Sequence, residues 1–514
     1  MTRLPLLLAI AFAFLAACTS AERGENRLVV AVESPPETLD RRMALGATAM
    51  RVAHLVTPGL TRIDAAGRAV PDLAASFTAD DPRSWRFVLR EGLLFSDGTP
   101  LTAADVVATW RSVLDPATGS PHRGGYGYLE AVEAPDPRTV IFRLAAPFGA
   151  FPVDASLGIL PSRLVAPEHR EALRARPIGA GPYVVEKWER DEQLLLAPNP
   201  RYHGGAPALP LEIRTVRDET TRVLELRKGR VDVLLNAVSA ALLPALREEQ
   251  HLSVTVGPGA GVSYLMFNLE DPLLGRREVR EAIALALDRE AIARYKFKGA
   301  ARIADTFLRP EHWAYEDETA KWPHDPARAK ALLDAAGYTD PDGDGPGTRF
   351  RLSFKTSTDR FRRSVALVMA AQLAAVGIGV DVAPLEWGTF MGDVKRGNFQ
   401  LATLKVTPVI DPDLFRLISH SASIPSEETA WGGMNRMRYR NAAVDALLTQ
   451  GREATDPEAR RAAYAQVQRV LARDLPTLPL VHEDAVGVVA TDLEGVVVDP
   501  QGSLHSLAAA RRVE

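Results

Sequence analysis

The sequence is poor in the groups that carry covalent, redox and metal chemistry. One cysteine, Cys18, stands in 514 residues, so no internal disulfide can form and no cysteine-rich zinc site or Cys-x-x-Cys pair is available. The ten histidines are scattered, with no two at i,i+3 or i,i+4 helical spacing, so no local histidine metal site is encoded. Gly-x-Ser-x-Gly, His-Glu-x-x-His, Ser-x-x-Lys and Walker sequences are absent, which removes the commonest hydrolase and nucleotide-binding signatures. An excess of one charge is also missing. Lys and Arg number 61 against 65 Asp and Glu, a net charge of −4, and the scattered basic residues make no surface for neutralising phosphates, so nucleic acid is excluded as the expected partner. No internal repeat is visible, and beyond the N-terminal segment no apolar run reaches membrane-spanning length.

What remains is the balance of an ordinary protein folded in water: 46% hydrophobic and 25% charged residues, in a chain long enough for two or more domains. Residues 1–17 read as a secretory signal, with Arg3 before an apolar stretch too short to cross a bilayer. That stretch ends in Leu15-Ala16-Ala17-Cys18, similar to a bacterial lipoprotein signal. Cys18 is thus expected to be lipidated and residues 18–27, polar and small, to form a tether.

Leu28 to Val32 is a continuous apolar run suited to a buried strand. Trp85, Phe87 and Leu89, and later Val140, Phe142 and Leu144, alternate with more exposed positions and predict half-buried strands. Between them Thr102 and Asp105 form a capping pair for a helix reaching about Val113. The second half alternates helix and strand: Asp325-Pro326 opens a helix closed by Gly337, Val365–Val376 is a helix stopped by Gly377, Ile378–Val382 is a strand, and Asp456-Pro457 opens a helix to about Arg473. The pattern predicts an α/β architecture with mixed sheets. Turn clusters at 175–182, 257–261 and 476–479 are candidate crossings between domains. Gly257-Pro258-Gly259-Ala260-Gly261 precedes the strand-like 262–267 instead of opening a helix, so it reads as a hinge strand and not a phosphate loop. Asp340-Pro341-Asp342-Gly343-Asp344-Gly345 begins like a calcium loop, but Arg351 stands where a bidentate glutamate is needed, leaving a polar turn.

Ordered segments along nearly the whole chain resemble the large dipeptide-, oligopeptide- and nickel-binding class of bacterial importer solute-binding proteins. They include Gly59-Leu60-Thr61, Pro71-Asp72-Leu73-Ala74, Phe95 to Pro100, Pro177 to Tyr183, Asn199-Pro200-Arg201-Tyr202 and Gly229 to Asp232. Phe267-Asn268, Val279 to Ala282, Ala286 to Arg289, Ala329 to Leu333, Glu386-Trp387 and Asp474 to Leu480 continue the series. The resemblance implies a two-lobed periplasmic-binding-protein fold of cluster C type, with a hinge and an extra subdomain. Residues 28–45, 178–260 and 477–514 would form the core of the first lobe, 46–177 its extra subdomain and 261–476 the second lobe. It further implies a monomer outside the cytoplasm, anchored to a membrane by Cys18, with no cofactor, metal or catalysis, that captures peptides in the inter-lobe cleft for a membrane permease of the ABC type. A sugar or metal chelate as ligand, and a secreted carboxylate-dependent hydrolase, are the alternatives.

The site residues follow from this resemblance and from their local settings. Peptide-binding members carry an aspartate for the free amino terminus just before a segment matching Asp411-Pro412-Asp413, where this chain has Pro408 between Thr407 and Val409. Pro408 offers neither charge nor a backbone donor, so Asp411 or Asp413 is expected to substitute, the competing role for both being a helix cap. Arg360 lies near the position of a basic residue for a peptide carboxylate. Trp387 and Trp431 are candidate aromatic walls, Glu33 and Ser34 follow the first strand, Tyr126 sits among glycines, and Thr407 flanks the substituted position.

Overall fold

The structure, a computed structural model, describes residues 27–513 apart from 344 and 346. Cys18, its signal and most of the tether lie outside the described residues, as does Asp344 of the 340–345 turn. Mixed α/β architecture is observed. An eleven-stranded mixed sheet runs through the molecule in the order 378–385, 350–357, 401–406, 252–267, 477–490, 233–235, 28–32, 211–215, 193–198 and 183–189, with 301–303 paired to 477–490. A separate four-stranded antiparallel sheet is built from 74–81, 84–89, 139–144 and 129–133.

Local chemistry explains the elements. Leu28–Val32 lies between two parallel neighbours, 211–215 and 233–235, which is why it carries almost no polar side chain. Alternation in 84–89 places Trp85, Phe87 and Leu89 inside, against the helix Ala103–Leu114 and its fully buried Trp110. That helix begins where the Thr102 backbone N–H donates to Asp105 Oδ2 at 2.8 Å. Asp325 caps Pro326–Ala335 by accepting from the Arg328 backbone N–H at 2.9 Å. The helix expected from Val365 instead starts at Arg360, because the Asp359 carboxylate accepts the Arg362 N–H at 2.8 Å and caps it five residues earlier. Among the described residues no helix is long and apolar enough to cross a membrane.

The two ends of the sheet pack against different cores. One gathers Leu28, Val30, Tyr183, Leu196 and Ile213; the other gathers Phe267, Ile283, Phe354, Met369 and Leu478. The strands 252–267 and 477–490 run between the two ends: Leu265, Phe267, Leu478 and Leu480 lie in the second core, Ala490 in the first, and Leu252 in a neighbouring cluster with Ala31 and Leu234. Leu252 to Gly257 pairs with Ala490 to Ala485, and Val262 to Met266 pairs with His482 to Thr477, with the register broken between Gly257 and Gly261. Such a break locally bends and twists the ladder, so the bend lies where the molecule passes from one lobe to the other. Gly259 sits in it: a Cβ there would meet the Glu483 carbonyl oxygen at 2.1 Å and the Ala485 nitrogen at 2.9 Å, whereas at Gly257 it would meet nothing within 4 Å. Ala260 ties two further segments to the bend, its N–H donating to Pro500 O and its carbonyl accepting from Val409 N–H, both at 2.8 Å.

Contacts beside the cleft join the lobes. Trp313 N–H donates to Ala66 O at 3.1 Å across the boundary, while Gln501 donates to Asp64 O at 2.9 Å on one side of it and His312 Nε2 bonds Ile410 O at 2.8 Å on the other. On the opposite flank Gly149 N–H donates to Arg452 O at 2.7 Å, and the Arg452 guanidinium lies 4.2 Å from the Phe148 ring centroid.

Two outcomes test this account. Gly259→Ala is expected to lower stability by about 1–3 kcal/mol through overpacking against immobile backbone, while Gly257→Ala stays within about 1 kcal/mol of wild type; urea unfolding of both variants decides. Burial pushes His312 and His482 down to about 4. A depressed folded value means that the unfolded chain takes up the proton first, so their contribution is present above pH 6.5 and is lost as pH falls toward 4. Each costs about 2 kcal/mol between pH 6.5 and 5. His312→Gln should reduce the difference in urea midpoint between pH 7 and 5; an unchanged difference contradicts the assignment.

Candidate functional site

A cleft of about 1210 Å³ opens between the lobes. Its floor is the bend itself: Gly259 to Gly261, Glu483 to Val486 and the returning segment Asp499 to Ser503. One wall carries Glu33, Arg41, Met50, Arg51, His54 and Arg62; the facing wall carries Lys296 to Lys298, Phe361, Lys405, Thr407, Pro408 and Ile410. A ligand here touches both lobes and the segments that connect them. Leu45 and Phe361 line the cleft while 70% and 44% exposed, apolar surface that a ligand can cover.

Most cleft carboxylates are already engaged. Glu33 accepts from Arg51 at 3.1 Å. Glu483 pairs with Lys405 at 2.6 Å and accepts the Ser263 hydroxyl at 2.8 Å, and Asp484 pairs with Arg302 at 3.0 Å. Asp64 accepts the Ala66 and Arg68 N–H groups at 2.9 and 2.8 Å. Asp499 accepts those of Gln501 and Ser503 at 2.8 and 3.1 Å, and its burial raises its pKa.

The cations differ. Arg41 is only 8% exposed; it donates to His54 Nδ1 at 3.2 Å and to Ser156 O at 3.3 Å, and its Nε has no partner among the described residues. Burial first, and then the Arg41 charge, push His54 down to about 3, so its ring is neutral at pH 7. Its Nε2 lies 3.7 Å from Asp72, behind the wall, whose carboxyl burial raises to about 6. Arg62 is half-buried and makes no hydrogen bond or ion pair among the described residues. Its charge reaches His54 and also His505, which burial lowers.

Of the residues named from sequence, the cleft is lined by Glu33 and Thr407, together with Pro408. The others lie elsewhere. Ser34 bonds Thr48 at 3.0 Å, and Tyr126 packs edge-on against Trp110, 5.0 Å between centroids, with burial pushing its hydroxyl pKa up. Arg360 is exposed in the first turn of its helix. Trp387 packs on Phe390 and under Arg362; Trp431 lies beneath Arg396. Asp411 pairs with Arg460 at 2.8 Å. Asp413 occupies a helix N-cap position, but its carboxylate pairs with Arg452 and accepts from Tyr464 at 3.2 Å. Sequence reasoning missed Arg41, His54, Arg62 and the 499–506 segment. In Asp40-Arg41-Arg42 two adjacent arginines look alike, yet Arg42 turns inward to a buried pair with Asp40 at 2.7 Å and Arg41 turns to the cleft. Among the described residues no group of three or more His, Cys, Asp or Glu is placed to hold a metal.

The chain is similar to known proteins along nearly its whole length. Protein XP55 of Streptomyces lividans is 31% identical over 98% of this chain and 93% of its own length. A probable di/tripeptide-binding protein 5 of Pseudomonas aeruginosa is 29% identical over 92% of this chain and 94% of its own. The structure of HbpA2 from Haemophilus parasuis superposes with a TM-score of 0.85 over 95% of this chain and 100% of that one; at 22% identity it speaks for the two-lobed fold alone. Residues 68–423 match the profile of the bacterial extracellular solute-binding proteins, family 5 middle region. With that match spanning more than two-thirds of the chain, the chain belongs to the family 5 bacterial extracellular solute-binding proteins.

Proposed function

We propose that the protein is the extracytoplasmic binding component of an ATP-driven importer, capturing short peptides in the inter-lobe cleft and presenting them to a membrane permease. One observation carries this reading: a cleft larger than the roughly 300–1,000 Å³ of a drug-sized site, floored by the paired strands 252–267 and 477–490 at their register break. A ligand touching both walls favours the closed arrangement, and a permease that prefers that arrangement reads occupancy through the same equilibrium. The peptide assignment is supported by the similarity to the probable di/tripeptide-binding protein of Pseudomonas aeruginosa. Within this reading the lobes divide at the 257–261 bend, the protein acts as a monomer without catalysis, and Cys18 carries the lipid anchor that raises binder concentration near the permease.

Deleting the protein should abolish uptake of the peptides it binds, and a bound peptide should be recovered chemically unchanged after prolonged incubation. Hydrolysis of the bound peptide, or uptake unaffected by deletion, overturns the reading. Replacing Cys18 by Ser should release the protein from the membrane fraction; retention at the wild-type level contradicts the anchor.

A further inference from the structure

Every acid that lines the cleft has a cation or a pair of backbone N–H groups against it, while two arginines on one wall have no carboxylate of their own. Arg41 is more than nine-tenths buried, so its charge is held in poorly solvated surroundings. Desolvation lowers its pKa, in accord with a cation short of compensation. Its close neighbours are His54, neutral at pH 7, the Ser156 carbonyl and, electrostatically, Tyr126; Asp72, behind the wall, stands beside His54 and His203 and feels the charge of Arg62, without an ion pair to either arginine. Arg62 adds a second charge that makes no ion pair among the described residues, beside His54 and His505 and with the Asp72 carboxylate within electrostatic reach behind the wall. Across the cleft Lys296 and Lys298 also line it without a carboxylate partner among the described residues. Glu33 keeps one oxygen, Oε2, without a hydrogen bond, but Arg51 already matches its charge. A buried cation without a counter-charge is costly, and an incoming oxyanion supplies both the charge and the acceptors that the guanidinium geometry favours.

We propose that Arg41 and Arg62 form the seat for an oxyanion of the ligand, a carboxylate or phosphate, and that the preferred ligands carry net negative charge at pH 7. This rests on the solute-binding reading and names the charge class of its ligand. Arg41 is the fixed, preorganised member, braced by His54 and Ser156. Arg62, half-buried and without a hydrogen bond or ion pair among the described residues, is the member left to turn onto the anion. Neutral His54 lets Arg41 keep its bond to Nδ1 without adding a repelling charge at its flank.

The test uses the full chain, purified without denaturation, immobilised and exposed at pH 7.5 to yeast extract as a mixture of peptides and acidic metabolites. Retained species are identified by mass spectrometry, fragmentation separating phosphate from carboxylate. Wild type should retain species that share an oxyanion and a net negative charge. Arg62→Ala should retain at most one-tenth as much with an unchanged melting temperature, and Arg62→Lys should recover part of the loss. Arg41→Gln should behave like Arg62→Ala where it folds, and Arg62→Ala alone suffices where it does not. Neutral or cationic species retained by wild type, or equal retention by Arg62→Ala, overturns the anion seat and leaves the binding reading standing. No species retained above a heat-denatured blank overturns both.

Discussion

Everything in this molecule depends on two antiparallel strands that belong to both lobes at once. Residues 252–267 and 477–490 carry one hydrogen-bond ladder from one end of the sheet toward the other, relieved by the register break at 257–261 and by a second shift at Ser263–Tyr264. Gly259 makes that break possible, because its Cα passes so close to the Glu483 carbonyl that no side chain fits. The consequence is geometric. Lobes joined by continuous strands cannot separate, yet a bent, under-paired stretch lets them change angle, and whatever lies on that stretch senses the angle. The cleft is built on it, so binding and shape are one equilibrium.

The electrostatics follow from the same geometry. Bringing two walls and a floor together crowds eleven charged side chains around one solvent-filled space, and burial shifts the weaker acids and bases in and behind it: the pKa values of His54 and His505 are lowered, and those of Asp499 and, behind the wall, Asp72 are raised. Acids there are neutralised by neighbours or by backbone, which leaves the arginines of one wall as the strongest uncompensated field. Burial makes this field matter, since an exposed arginine is screened by water and salt.

How much of this was legible in the sequence depends on the range over which each signal acts. Helix starts at Thr102, Asp325 and Asp456 and the strand containing Trp85 are written in a few adjacent residues, and they are found where local chemistry puts them. The Gly257–Gly261 cluster was readable as strand and not as a phosphate loop because it leads into the strand-like 262–267 run instead of a helix, and it is found inside the strand Leu252–Phe267 at a register break. Whole-chain resemblance supplied the two-lobed fold. The site was less legible. Asp411 and Asp413 look available in the sequence, but Arg460, Arg452 and Tyr464, some 40–50 residues on, return in space to occupy them. Trp387 and Trp431 have the right chemistry for a wall and are packed instead under arginines of their own lobe. Arg41 and Arg62 carry no local mark, because their significance is the absence of a carboxylate in three dimensions, which no window of sequence displays.

The central claim is that ligand is held between the lobes, on the bend, by groups from both walls. A crystal structure of the protein with the species it retains tests this most directly. The account predicts density in the cleft touching Arg41 or Arg62 on one side and the Lys405–Pro408 segment on the other; density confined to a single lobe, away from residues 257–261, would contradict it.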